Sequence, residues 1–196
     1  MDRPAPRRDS SRDTPTDADT EARRGDVPVR PAAPAARFDV GWREWVALPG
    51  LGLPAIKAKV DTGARTSALH AFDIAEEAGE GGEALVGFSV HPLQRDAELT
   101  VRCRAPLVDR RRVTDSGGHR EERFVVRAAL VLGAREREVE LTLVDRTDML
   151  FRMLVGRTSL VPDVRVDPAR SFLLGRVAAR ELYRDGGRGR TGDPAA

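Results

Sequence analysis

Apolar and polar residues alternate along the middle of this chain and almost nowhere else. Ile56, Ala58 and Val60 interleave with Lys57, Lys59 and Asp61. That period of two sends the apolar side chains to one face of a strand and the charged ones to the other. Val139, Leu141 and Leu143 interleave likewise with Glu138, Glu140 and Thr142, behind a Gly133-Ala134 turn that follows the apolar run Phe124 to Leu132. This reads as a hairpin. Further strands are expected at Trp42 to Leu48, which ends at Pro49-Gly50, and at Leu85 to Val90, Leu99 to Cys103, Met153 to Val155 and Ser171 to Leu174. Helical spacing is weak, with one turn expected at Thr158 to Leu160 and another at Val177 to Tyr183. No internal repeat is visible. The pattern predicts a single all-β domain, a barrel or a sandwich, over residues 37–183.

The flanks read differently. Between Met1 and Ala36 the large apolar residues are Met1, Val27 and Val29, and six of the 13 prolines fall there. Such a stretch buries too little apolar surface to offset its ordering entropy, so 1–36 is expected to be a disordered tail. Residues 184–196, rich in Gly, Arg and Asp, are expected to be a second one. Arg7-Arg8 resembles the start of an export signal, but no apolar run follows it. The expectation is a cytoplasmic protein.

Charge narrows the partners. Lys plus Arg is 33 and Asp plus Glu is 31, a net charge of +2, which gives no bulk attraction to DNA or RNA. Only Lys57 and Lys59 are lysines; the remaining cations are arginines, suited to bidentate contacts with anions. No run approaches the length of a membrane span. Cys103 is the single cysteine, and His70, His91 and His119 are far apart, so no metal-ligand spacing is present and no metal is expected. Neither lysine follows a glycine in a phosphate-binding loop, so no nucleotide cofactor is expected. Cys103 reads as a small buried hydrophobe and His70 as a structural hydrogen-bonding residue.

The sharpest local feature is Asp61-Thr62-Gly63-Ala64 at the end of a strand. An aspartate before a glycine is also an ordinary turn. A second feature, Met153-Leu154-Val155-Gly156-Arg157, adds a strand ending in a glycine that another backbone can approach closely. Together they resemble the retropepsin-like aspartic proteases. The longer run from Val60 to Ala71, with Asp145-Arg146, Leu154 to Arg157 and Val166-Asp167-Pro168, resembles one bacterial subfamily of them. It is historically labelled "ATP-dependent zinc protease" and associated with ligases that add glutamates to a ribosomal protein.

The resemblance implies a closed retropepsin-like barrel and an aspartic dyad. Two facing carboxylates share one proton and activate a water. The chain has one Asp-Thr-Gly, so a homodimer would supply Asp61 twice. Thr62 would bond across the two-fold axis and Gly63 would bring a backbone N–H beside the carboxylate. Leu154, Val155, Gly156 and Arg157 would support the site. Ala64 and Arg65 would line the substrate. Arg65 stands where many viral relatives carry an acid that pairs with the later arginine. Either Arg157 finds another acid, Asp145 or Asp148, or Arg65 points into the cleft; a solvated Arg65 is the plain alternative. Asp109 to Arg123 reads as a charged hairpin with a glycine tip and is the expected flap, with Arg112, Ser116 and Gly117 over the substrate; an ordinary solvated loop is its alternative. The glycines of Gly79 to Gly82 read as a surface loop. The implied substrate is a glutamate-rich or glutamate-tailed protein, and the implied partners are a glutamate ligase or a ribosomal protein. A non-catalytic adaptor that binds an acidic protein or the ligase through the arginine-rich loop is the competing reading, and RNA binding through Arg110 to Arg112 the weaker third.

Overall fold

The computed structural model describes residues 37–114, 120–145 and 150–187. Among the described residues eleven strands form: β1 Phe38–Gly41, β2 Arg43–Leu48, β3 Leu53–Asp61, β4 Ser67–His70, β5 Phe72–Ala78, β6 Ala84–Val90, β7 Val101–Thr114, β8 Arg120–Leu132, β9 Arg135–Val144, β10 Met153–Gly156 and β11 Val164–Asp167. One α-helix follows, α1 Ala179–Gly187.

Six of these strands close into a barrel in the order β2-β3-β10-β4-β9-β8, and the ring is completed where Ala47 of β2 meets Val131 of β8. Closure removes the unpaired edges that an open sheet would expose. From β8 the sheet continues outward through β7, β6 and β5, and β1 pairs with β11 separately. The barrel is filled by aliphatic side chains, among them Leu48, Ile56, Leu69, Leu130, Leu141, Leu143 and Met153, all essentially inaccessible to solvent. β3 shows how the pattern works: Ile56, Ala58 and Val60 are buried while Lys57, Lys59 and Asp61 face out.

Of the expected strand Leu99 to Cys103, Leu99 and Thr100 precede the ladder, and Val101 to Cys103 open a longer strand than the apolar run suggests. β7 continues through Asp109, Arg110, Arg111 and Arg112, because β8 pairs with it along that length. Thr158 to Leu160 does fall at a short turn, a 3-10 helix at Arg157–Ser159. The turn of helix expected from Val177 starts at Ala179 and runs to Gly187, so its end enters the stretch expected to be a tail. The expectation for 1–36 lies outside the described residues.

One expected strand is absent. Ser171 to Leu174 makes no ladder. The backbone N–H groups of Leu173 and Leu174 instead donate to the carboxylate of Glu44, at 2.8 and 3.4 Å. Glu44 is fully buried on β2 and accepts also from the Gly41 N–H at 2.6 Å. An inward carboxylate with three backbone donors thus replaces a strand partner.

Candidate active site

β3 delivers Asp61 to the barrel rim in register with Gly156 at the end of β10. The chain then turns back on the aspartate. The N–H groups of Gly63 and Ala64 both donate to Asp61 Oδ1, each at 3.1 Å. The second carboxylate oxygen makes no hydrogen bond among the described residues. Thr62 and Gly63 are exposed, and Asp61 is half-buried.

The turn after β10 locks onto this loop. Arg157 N–H donates to the Ala64 carbonyl at 2.9 Å and Thr158 N–H to the Arg65 carbonyl at 3.1 Å. The Thr158 hydroxyl reaches the same Arg65 carbonyl at 2.8 Å. A Cβ on Gly156 would lie 2.5 Å from the carbonyl carbon and oxygen of Thr66, so only glycine allows this approach. Ser67, wholly buried, accepts the Gly156 N–H at 3.0 Å and shares a 2.8 Å hydrogen bond with Ser159. Ser67 therefore braces the two loops from below.

The structure brings Asp61, Gly63, Ala64, Arg65, Gly156 and Arg157 together. Leu154 and Val155 divide: Val155 is in the core, whereas Leu154 faces outward beside Lys59. Arg157 makes no ion pair with Asp145. Its guanidinium donates to the Gly63 carbonyl at 3.2 Å and so ties down the loop itself. Asp148 lies outside the described residues. Arg65 is exposed, and its guanidinium has no partner among the described residues.

Asp109 to Arg123 does form the arms of a hairpin, with Arg112 opposite Glu122. Its tip, with Ser116 and Gly117, lies outside the described residues. Two of its arginines are already engaged: Arg110 with Glu76, and Arg111 with Asp109 and Glu140 at 2.7 and 2.8 Å. No contact links Arg112 to the Asp61 loop among the described residues. The Gly79 to Gly82 segment connects β5 to β6 as an exposed turn.

His70 and Cys103 lie in packed surroundings. His70 is buried with Nδ1 3.2 Å from the Val144 carbonyl, and burial lowers its pKa, with the Val144 carbonyl opposing. Cys103 is buried, its thiol donates to the Leu51 carbonyl at 3.3 Å, and burial pushes its pKa up to about 12. Among the described residues no three His, Cys, Asp or Glu side chains converge as a metal site, and no helix is long and apolar enough to cross a membrane.

A closed barrel whose rim joins an Asp-Thr-Gly loop to an apolar-apolar-Gly-Arg strand defines a retropepsin-like fold. The chain belongs to the RimB-like family, described as the retropepsin-like aspartic endopeptidase RimB, which it matches over residues 39–176. It is also 44% identical over 150 residues to a probable alpha-L-glutamate ligase of Shewanella halifaxensis, covering 75% of this chain and 32% of that protein. A protein of the same description from Parasynechococcus marenigrum is 46% identical over 143 residues, 73% of this chain and 30% of the relative. The chain thus spans about a third of the length of these curated relatives. A solved structure, a Legionella pneumophila protein of unknown function, superposes with a TM-score of 0.61 at 26% identity, covering 71% of this chain and 99% of that one.

Proposed function

We propose that this chain is an aspartic peptidase that works as a homodimer and cleaves amide bonds in glutamate-rich or glutamate-tailed protein. One observation carries the reading: Asp61 is held by two backbone N–H groups on an open rim, with Thr62 and Gly63 exposed beside it. A carboxylate fixed on one oxygen and turned outward on the other is suited to face its mate.

In the dimer one Asp61 is ionised and the other protonated, because like charges so close cannot both ionise. The ionised carboxylate takes a proton from a water held between the two. The water oxygen bonds to the substrate carbonyl carbon, and the protonated carboxyl donates its proton to the carbonyl oxygen. As the tetrahedral diol collapses and the C–N bond breaks, the protonated carboxyl gives its proton to the leaving nitrogen and the other carboxylate takes one from a diol hydroxyl, so the pair again holds one proton. No covalent bond to the enzyme forms. Arg65, exposed on the loop beside Asp61, lines the substrate, and the β7–β8 hairpin is the flap.

The names of the relatives support the substrate class. In them a segment like this one occupies about a third of a chain described as a probable alpha-L-glutamate ligase. Glutamate addition and glutamate removal on one protein, in the cytoplasm, suit such an arrangement. The ligase and its acidic product, a ribosomal protein in the implied case, are then the partners.

Mixing tests the shared dyad. Wild type is combined with increasing Asp61→Asn protein under conditions of subunit exchange, and peptide cleavage is followed. Equal mixing leaves about a quarter of dimers with two aspartates, so activity falls to about half of that given by simple dilution. Activity that tracks the amount of wild-type chain alone would show that each copy works by itself.

A further inference from the structure

The barrel face that ends in Asp61 carries cations that no acid neutralises among the described residues. Lys57, Lys59 and Asp61 alternate outward on β3, so Lys59 and Lys57 stand roughly 7 and 13 Å upstream of the aspartate, at about 3.3 Å per residue. Register places Arg43 of β2 opposite Lys59 and Trp45 opposite Lys57. On the other side Leu154 of β10 flanks Lys59.

The segment after β11 completes the patch. Phe172 stacks near Trp45, ring centroids 6.5 Å apart. Three cations crowd its ring: Arg176 at 4.5 Å, Arg43 at 5.1 Å and Lys57 at 5.8 Å from the centroid. Arg43 lies also over Trp42 at 4.5 Å and donates to the Ser171 hydroxyl, while Lys57 lies over Trp45 at 5.2 Å. Phe172 adopts a φ of +57, which a side-chain-bearing residue rarely takes, and its N–H is tied to the Arg43 carbonyl at 2.9 Å. The ring is thus held in place as a platform for charge. Among the described residues no carboxylate pairs with Arg43, Lys57, Lys59 or Arg176. Burial, then the charges of Arg43 and Arg176, lower the Lys57 pKa, as expected of like charges packed without a counter-ion.

We propose that Arg43, Lys57, Lys59 and Arg176 form a carboxylate-binding subsite that receives acidic side chains of a peptide on one side of the bond cleaved at Asp61. The step to cleavage rests on the peptidase reading; the anion site does not. An acidic peptide fits better than RNA. The rings are already covered by guanidinium and ammonium groups and offer little face for stacking bases. Side-chain carboxylates are matched by the ammonium groups of Lys57 and Lys59, two residues apart on β3, with the guanidinium forks of Arg43 and Arg176 beside them.

The test uses full-length Asp61→Asn protein, so that binding is read without turnover. Fluorescein-labelled hexaglutamate is titrated and anisotropy recorded. The paired Lys57→Gln and Arg176→Gln changes are expected to weaken binding about tenfold. The charge-keeping Lys57→Arg and Arg176→Lys pair retains most of it, and hexaglutamine does not bind. Lys59→Gln, at an exposed site, is the second variant should the first not fold, with an expected loss of about threefold. In the Asp61 background the same changes raise KM and leave kcat nearly unchanged. Unchanged hexaglutamate affinity in the neutralised variants, no binding to the parent, or equal competition by an RNA oligonucleotide of the same charge would overturn the subsite. Charge-dependent binding without cleavage by the Asp61 protein keeps the subsite and removes the peptidase reading. Cleavage with affinity indifferent to these charges does the reverse.

Discussion

Gly156 donates its backbone N–H to the hydroxyl of Ser67 at 3.0 Å, and this bond ties the end of β10 to the start of β4 directly beneath the Asp61 loop. Gly156 is also the residue opposite Asp61 in the ladder. Position of the carboxylate and packing of the two strands are therefore one property.

Gly156→Ala follows from that contact. Its Cβ would meet the Thr66 carbonyl at 2.5 Å, and backbone cannot yield as a flexible side chain does. Overpacking of this kind costs about 1–3 kcal/mol. The expected result is a lower Tm by calorimetry together with a loss of peptide cleavage that exceeds the loss of folded protein. An unchanged Tm would mean that the two loops are not locked.

Glu44→Ala is expected to destabilise the fold although no hydrogen bond of the Asp61 loop passes through it. It strips the acceptor from the N–H groups of Gly41, Leu173 and Leu174 in a buried position. Each such orphan costs about 1–3 kcal/mol. Urea unfolding should show the loss, with Glu44→Gln intermediate because its amide keeps one acceptor oxygen.

Stability should fall on mild acidification through His70. Burial lowers its pKa from 6.5 in the fold, so below about 6.5 the unfolded chain takes up the proton more readily. Its contribution is full above that pH and is lost as pH falls toward the folded value. Denaturant unfolding at pH 7.5 and 5.5 should give a larger drop for wild type than for His70→Asn. Equal drops would place the pH dependence elsewhere.

Cys103 should be inert in the native protein. With its pKa pushed up to about 12 it is a protonated thiol at pH 8, and it is buried as well. A disulfide-exchange reagent should therefore react only after denaturant is added. Rapid native reaction would contradict the packing around Leu51 and Val101.

Much of the barrel was readable from alternation. β3 and β9 carry a clean period of two because one face of each is packed and the other wet. β1 and β11 were not readable: each is four residues long and pairs only with the other, across the whole chain. Ser171 to Leu174 reads as a strand because its residues are apolar, but their backbone donors go to a carboxylate that sequence pattern places among strand residues. The signal for Glu44 was present, since it shares the inward face with Val46 and Leu48. The loop at Asp61 was legible through its resemblance to a family rather than through spacing. The cation patch was half legible: the β3 pattern puts Lys57 and Lys59 on the face of Asp61, but nothing local announces that Phe172 and Arg176 return to it.

The most direct measurement is cleavage of a glutamate-tailed peptide by the purified full chain, with chelator present and ATP absent, read as product masses beside Asp61→Asn. The variant keeps an acceptor for the Gly63 and Ala64 N–H groups and should fold with a nearly unchanged Tm. Cleavage by wild type, reduced by about 100-fold or more in the variant, is the expected result. Equal cleavage by both proteins would contradict the role given to Asp61.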